Sequence, residues 1–423
     1  MNCEDAIVGA LRAYADCWYA VPGYPLTGMA EKLGAGTVIN EKVSLEFALG
    51  DSLSGRRAAV LMKNVGLNAC ADPLVQATTQ GLRAGVVIIA GDDPAAAGSQ
   101  NSQDSRYYGE LAMVPVLEPD PEHCIASIEY AFEASEQFSR IAIVRVTPAL
   151  LDAPSGHTMP ERKNTYGQLA DRALTMRGRG ERAEQLFAGM FDWSDASHLN
   201  TLSGGMVGTG ACPGDSHVVT VYPPPARSAD LSLTFEEGRP FLAGHRCSGP
   251  PKGTAVPETM ERRGYYRTFC KGCPFLPLFR MMKELGMEVI ADAGCSLLSI
   301  NPPFQTGIAS YGLGSAIGVA ARSTGIAVTG DYALLHSALP ALIEVYHKKI
   351  PLLCIVLKNE CMGMTGGQAA YDIDPYLSFA SPVVCRADET EKIRGLLGSQ
   401  TTPLTLVITG RCPEERYHET VEY

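Results

Sequence analysis

Charge is scarce in this 423-residue sequence: Asp, Glu, Lys and Arg make up 19% of it and aromatic residues 7%, which excludes a charge-rich disordered or coiled-coil chain. A basic excess is also lacking, because the formal net charge of −11 argues against a partner bound through a phosphate backbone. No apolar run approaches the roughly 18–20 residues of a membrane span. The opening "MNCEDAIVGALRAYADCWYA" lacks a basic leader and carries Glu4 and Asp5 ahead of its apolar residues, so it reads as a first helix and not as a signal peptide. A disulfide framework is not indicated either, since the 13 cysteines are odd in number and scattered along a long chain. These absences lead us to expect a soluble, cytoplasmic protein with mostly reduced cysteines and no nucleic-acid or membrane partner.

What the chain does have is apolar material, 46% of its residues, arranged in alternation. In the first 150 residues "GTVINE" (36–41), "AAVLMKN" (58–64), "GVVIIAG" (85–91) and "RIAIVRVT" (140–147) read as strands, and 42–55 as a helix. Short, wholly apolar runs of this kind mark buried parallel strands. From about residue 266 the alternation resumes. Helices are expected over 273–286, 311–325 and 336–349, and strands over 288–294, 326–332, 350–359 and 404–410. The segment between is richer in glycine, proline and polar residues, with strands expected at 217–223 and 233–244. The reading is an α/β protein: domains 1–150 and 266–423, each a parallel sheet with helices on both faces, flank a small middle domain, 151–265.

The most specific pattern lies in the last domain. Gly330 and Asp331 end one apolar strand, and Asn359 ends the next. Taken singly, either polar residue is a capping residue. Together, at neighbouring strand ends, they offer two hard oxygen ligands where open parallel sheets bind ligands, a set suited to Mg²⁺ and a diphosphate. The following "ECMGMTGGQ" adds a backbone carbonyl at Cys361, and Gly363, Gly366 and Gly367 leave backbone N–H groups open to phosphate. Glycine–aspartate followed some thirty residues later by asparagine resembles the diphosphate-binding motif of thiamine diphosphate enzymes. The whole stretch "GDYALLHSALPALIEVYHKKIPLLCIVLKNECMGMTGGQ" resembles the 2-oxoacid:ferredoxin oxidoreductases, most of all the large subunit of the indolepyruvate enzymes. The resemblance implies a pyrimidine-binding domain at 1–150 and a diphosphate-binding domain at 266–423. It implies Gly330, Asp331, Tyr332, Asn359, Met362, Gly363, Met364 and Thr365 around the cofactor, with Asp331, Asn359 and the Cys361 carbonyl on Mg²⁺. Two departures are Tyr332, where many thiamine enzymes carry glycine, and Lys358, where an acidic residue is usual and a cation would stand beside the diphosphate.

Thiamine chemistry needs a carboxylate hydrogen-bonded to the cofactor's aminopyrimidine, preferably in a dry pocket. The helix opening "NEKVSLEFALG" offers Glu41 and, one turn on, Glu46. Read alone, Glu41 is a first-turn acid favoured by the helix dipole. The family pattern, with a glycine nine residues on at Gly50, selects Glu41. Further likeness at 23–33, 62–75 and 91–119 implies contacts to substrate or cofactor from Thr27 and Asn64–Asn68. Arg106 either clamps a 2-oxoacid carboxylate bidentately or serves as a surface or interface residue.

Cysteine supplies the last pattern. In the family, four thiolates hold a [4Fe–4S] cluster, and Cys270, Cys273, Cys295 and Cys412 occur in the matching order and elements. Cys361 and Cys385 are the substitutes for Cys412. Zinc, or four ordinary buried cysteines, would fit the spacing alone. The resemblance implies oxidative decarboxylation of an arylpyruvate-like 2-oxoacid by a homodimer, with electrons leaving through the cluster to ferredoxin. The ferredoxin-like cysteine runs usual in the large indolepyruvate subunit do not follow, so a separate iron–sulfur subunit or directly docked ferredoxin is expected, and a smaller catalytic subunit with it. The alternatives are a non-oxidative thiamine-dependent decarboxylase and a catalytically silent partner subunit.

Overall fold

The structure, a computed structural model, describes residues 1–94, 96–100, 103–163, 165–196, 202–203, 206–207, 220–222, 255–398, 400–414 and 417–423. The chain divides into two units, Met1–Ala170 with Arg179–Pro257, and Asp171–Gly178 with Glu258–Tyr423. The described residues of 151–265 therefore divide between these two units instead of forming a third. The element expected over 233–244 lies outside the described residues, as does most of the strand expected at 217–223.

The first unit is built on strands Cys17–Ala20 (β1), Gly36–Thr37 (β2), Ala58–Lys63 (β3), Val86–Gly91 (β4), Val116–Glu118 (β5) and Ala142–Val146 (β6). A short ribbon follows, Leu202–Ser203 (β7) with Met206–Val207 (β8), and then Thr220–Tyr222 (β9). The sheet runs β2-β1-β3-β4-β6-β5-β9, parallel throughout except for β9, which lies antiparallel on β5. Every residue of β4 and β6 is buried, as helices on both faces require. The strand expected at 36–41 shortens to β2, because Asn40 leaves the sheet to cap the helix Glu41–Leu53, its side chain accepting from Val43 N at 2.8 Å.

The second unit holds strands Tyr265–Cys270 (β10), Val289–Ala291 (β11), Gly307–Ala309 (β12), Ile326–Gly330 (β13), Leu353–Lys358 (β14), Val383–Arg386 (β15), Leu404–Thr409 (β16) and His418–Glu422 (β17). Six of them form a parallel sheet, β12-β11-β13-β14-β16-β15, while β10 and β17 pair antiparallel. Counted within each unit, both parallel sheets have the strand order 2-1-3-4-6-5. The chain moves outward from the first strand to the second and then the other way, so a switch point falls between the first and third strands. Ligands of open α/β sheets collect beyond the carboxyl ends at such a point.

Two helices differ from expectation. The one expected over 311–325 is confined to Ala316–Ala320, because Gly312 and Gly314 take φ values of +124° and +80°, outside helical space. The one expected over 336–349 starts earlier, at Asp331, loosens into a π turn over Leu334–Ala338 and tightens again at Leu339–His347. Pro340 explains the loosening, since its nitrogen cannot donate to the preceding turn.

Candidate functional site

Four strand ends of the second sheet deliver the site. Beyond β13, Asp331 is 2% exposed. Its Oδ1 accepts from the N–H of Tyr332 at 2.8 Å, and its Oδ2 from the N–H groups of Asn359 (3.0 Å) and Glu360 (2.7 Å), just past β14. Burial raises its pKa, against the pull of those three donors. A buried carboxylate held by amides and raised by burial gains from a cation. Beyond β11, Asp292 braces the same edge: its Oδ2 accepts from Thr329 Oγ1 at 2.7 Å and its Oδ1 from Gly314 N at 2.6 Å.

The four cysteines arrive from separate elements. Cys270 ends β10, and Cys273 closes the turn after it with its N–H on the Cys270 carbonyl at 3.0 Å. Cys295 follows β11 and Cys412 follows β16. All four line one cavity of about 350 Å³ together with Gly330, Asp331, Tyr332, Asn359, Cys361 and Met362–Thr365. A Cβ built on Gly363 would lie 3.5 Å from Asn359 Nδ2, 3.6 Å from Cys295 Sγ and 3.8 Å from Cys412 Sγ, so thiols and amide converge on one point. Asn359 Nδ2 donates to Cys412 Sγ at 3.1 Å. Burial, and then the neighbouring cysteines, push the Cys273 thiol up to about 11 and Cys295 to about 12. Thiols that oppose one another's ionisation in this way fit a shared cationic centre that would hold them as thiolates. A single zinc ion would draw its sulfurs to about 2.3 Å from itself. Among the described residues no three His, Cys, Asp or Glu side chains stand close enough to share one ion. Four thiols on one cavity are the donor type an iron–sulfur centre takes, and the Asp331 and Asn359 oxygens are the donor type magnesium takes.

Sequence reasoning missed His418. Its ring Nε2 lies 3.9 Å from Cys295 Sγ, in the same cavity, and only the pairing of β17 with β10, which sets it opposite Cys270, brings it there. It also misplaced Lys358, which does not line the cavity: its ammonium lies against Asp372 and Asp374.

In the first unit Glu41 opens its helix half-buried. The helix Asn64–Gln80 makes room for it at Gly66, where a Cβ would fall 2.5 Å from Glu41 Cγ. Glu46 is buried and ion-paired with Lys42. Thr27 is exposed at the start of the helix Thr27–Leu33. Asn64 and Asn68 are tied to Gln103, at 3.0 and 3.1 Å. The expected carboxylate clamp at Arg106 is corrected by its surroundings. Arg106 is 2% exposed, grips Asp104 bidentately at 2.7 and 2.8 Å, and reaches Glu118 at 3.1 Å, so its guanidinium serves the fold.

Comparison with known proteins agrees with this geometry. Residues 292–383 match the family described as thiamine pyrophosphate enzyme, C-terminal TPP binding domain. Over its described residues the fold is similar to the thiamine diphosphate-dependent 4-hydroxybenzoylformate decarboxylase of Rhodococcus jostii (TM-score 0.57, 15% identity, 98% of this chain and 100% of that one). The X-ray structure of a Mycobacterium smegmatis protein described as a putative thiamin diphosphate-dependent enzyme gives a TM-score of 0.58 at 14% identity, with the same coverage. Fold and strand-end site thus resemble those of thiamine diphosphate enzymes. The indolepyruvate oxidoreductase subunit IorA of Methanothermobacter thermautotrophicus is 28% identical across 85% of this chain and 74% of its own length. That of Thermococcus kodakarensis is 41% identical over 149 residues, 33% of this chain and 23% of the relative. The chain is thus similar to indolepyruvate oxidoreductase subunits along most of its length, and its residues 292–383 to the thiamine pyrophosphate enzymes.

Proposed function

We propose that this protein oxidatively decarboxylates an arylpyruvate-like 2-oxoacid, passes the two electrons, one at a time, through a [4Fe–4S] cluster on Cys270, Cys273, Cys295 and Cys412 to ferredoxin, and releases the remaining acyl group to a thiol co-substrate. The observation that carries the reading is the convergence of those four cysteines, distant in sequence, on the cavity that holds Asp331 and Asn359. Asp331, Asn359 and the Cys361 carbonyl hold Mg²⁺. Gly330, Tyr332 and Met362–Thr365 hold the diphosphate. Bound thiamine diphosphate supplies the electron sink for loss of CO₂. Glu41, left available where Glu46 is engaged by Lys42, accepts a hydrogen bond from the aminopyrimidine and keeps that ring in its proton-abstracting form. Thr27, exposed at a helix start, contacts substrate. Residues of both units serve one cofactor in such enzymes, so we propose a homodimer as the working form. The relatives are named as subunits, which supports a smaller partner subunit and an iron–sulfur carrier beside it.

Anaerobic purification followed by iron and sulfide analysis tests the reading. About four irons per chain, lost in Cys273→Ser and Cys295→Ser, are expected, together with reduction of a viologen dye by 2-oxoacid. A colourless protein that still releases CO₂ would be the non-oxidative decarboxylase. One that binds no magnesium thiamine diphosphate would be the silent partner.

A further inference from the structure

Lys358 is the last residue of β14, one position before Asn359, and its side chain is only 11% exposed. Its ammonium sits between two carboxylates, 2.8 Å from Asp372 Oδ1 and 2.7 Å from Asp374 Oδ1. Between these partners the chain makes an excursion that carries Asn359, Cys361 and Met362–Thr365. The excursion closes on itself as an irregular hairpin: Ala370 N donates to Glu360 O at 3.0 Å, Met362 N to Gln368 O at 2.8 Å, and Gly367 N to Met362 O at 3.0 Å. Its outgoing leg is anchored, because the Asn359 and Glu360 N–H groups end on Asp331. Its return leg reaches the unit at Ile373, which is fully buried, and the two aspartates that flank Ile373 are the two that Lys358 holds.

We propose that Lys358 is a positioning residue: its ammonium fastens the return leg of the 359–371 hairpin to the strand that launches it, and so sets where Asn359, the Cys361 carbonyl and Met362–Thr365 stand for magnesium and diphosphate. The inference rests on the cofactor reading given above. Asp372 and Asp374 are 61% and 65% exposed, and a lone pair of that kind contributes little. Here one ammonium with a buried stem bridges both carboxylates, and the buried Ile373 between them limits what they lose in freedom on pairing. Cutting the fork leaves Ile373 as the return leg's remaining anchor at this point, while the outgoing leg stays on Asp331. The consequence is a looser loop on an intact sheet.

The test compares Lys358→Met, the double variant Asp372→Asn/Asp374→Asn, and Lys358→Arg in the full chain. Hydrogen exchange of the protein without cofactor is expected to quicken about tenfold at the Met362, Gly367 and Ala370 amides in the first two variants. Fluorescence titration is expected to show magnesium thiamine diphosphate binding about five- to tenfold more weakly in both, with the melting temperature moved by less than about 2 °C. Lys358→Arg, which keeps the charge, should restore both readouts. Unchanged exchange and affinity in Lys358→Met would overturn the proposal, as would a uniform rise in exchange across the unit in step with a fall in melting temperature. If the unaltered protein binds no magnesium thiamine diphosphate, the cofactor reading fails instead, and the exchange data alone then decide whether the fork holds the hairpin.

Discussion

Beyond the fourth strand of the first sheet stands Asp92, and beyond the third strand of the second stands Asp331. Both are buried strand-end carboxylates in sheets of one strand order. Their company differs. Asp92 accepts from Arg145 Nε of the adjacent β6 at 2.6 Å and from Ser105 N at 2.9 Å, and Arg145 also pairs with Glu118. Asp331 is met by three backbone N–H groups. A charge balanced by a guanidinium is complete within the fold, whereas one held by amides alone can still take a cation. The first unit repeats its pattern at Arg57, buried between Glu129 and Glu136. The same topology thus balances its strand-end charge within the fold in one unit and leaves a strand-end carboxylate able to take a cation in the other. A buried polar residue marks a site only when its partners leave it unfinished.

Breaking the balanced end should have the largest effect. Arg145→Met strands Asp92 in the interior, leaves Glu118 to Arg106 alone, and is expected to lower unfolding free energy by about 3–5 kcal/mol in urea titrations. Breaking the open end should cost little stability and a great deal of binding. Asp331→Ala is expected to weaken magnesium-dependent thiamine diphosphate affinity about a thousandfold by calorimetry, while Asp92→Ala loses stability first. Glu41→Gln sharpens the contrast inside the first unit: proton exchange at C2 of bound cofactor should slow about a hundredfold with affinity held within about threefold, as measured by NMR.

The smallest expected effect concerns a half-exposed pair of the scaffold, His123 and Asp120, 2.8 Å apart. The hydrogen bond to Asp120 raises the His123 pKa above 6.5. The stability it contributes is therefore fully present below about pH 6.5 and fades as pH rises through the raised value. His123→Gln should flatten the urea midpoint between about pH 6.5 and 8 by well under 1 kcal/mol.

The strand-end residues were legible because the sheet converts sequence pattern into position: an apolar run ending in Gly330-Asp331, and another ending before Asn359, leave few places for those side chains. The buried strands β3, β4, β6, β13 and β16 were legible for the same reason. Arg106 was not, because its partners come from Asp104 nearby and Glu118 on β5, and nothing local distinguishes a guanidinium facing inward from one facing substrate. His418 was hidden because an antiparallel pairing across most of the second unit puts it opposite Cys270. The helix expected at 311–325 failed on backbone grounds, since its small residues suit a helix while Gly312 and Gly314 take φ values that no helix allows. Lys358 looked like an intruder because the aspartates that occupy it lie beyond a hairpin whose closure the sequence does not announce.

The pairing of β17 with β10 has a consequence for biosynthesis. Cys270 and Cys273 leave the ribosome long before Cys412 and His418, so a nascent chain carries two thiols of a four-thiol set with nothing opposite them. During that interval they are open to oxidants and to stray metal ions, and a cluster of the kind proposed would have to wait for the late strand.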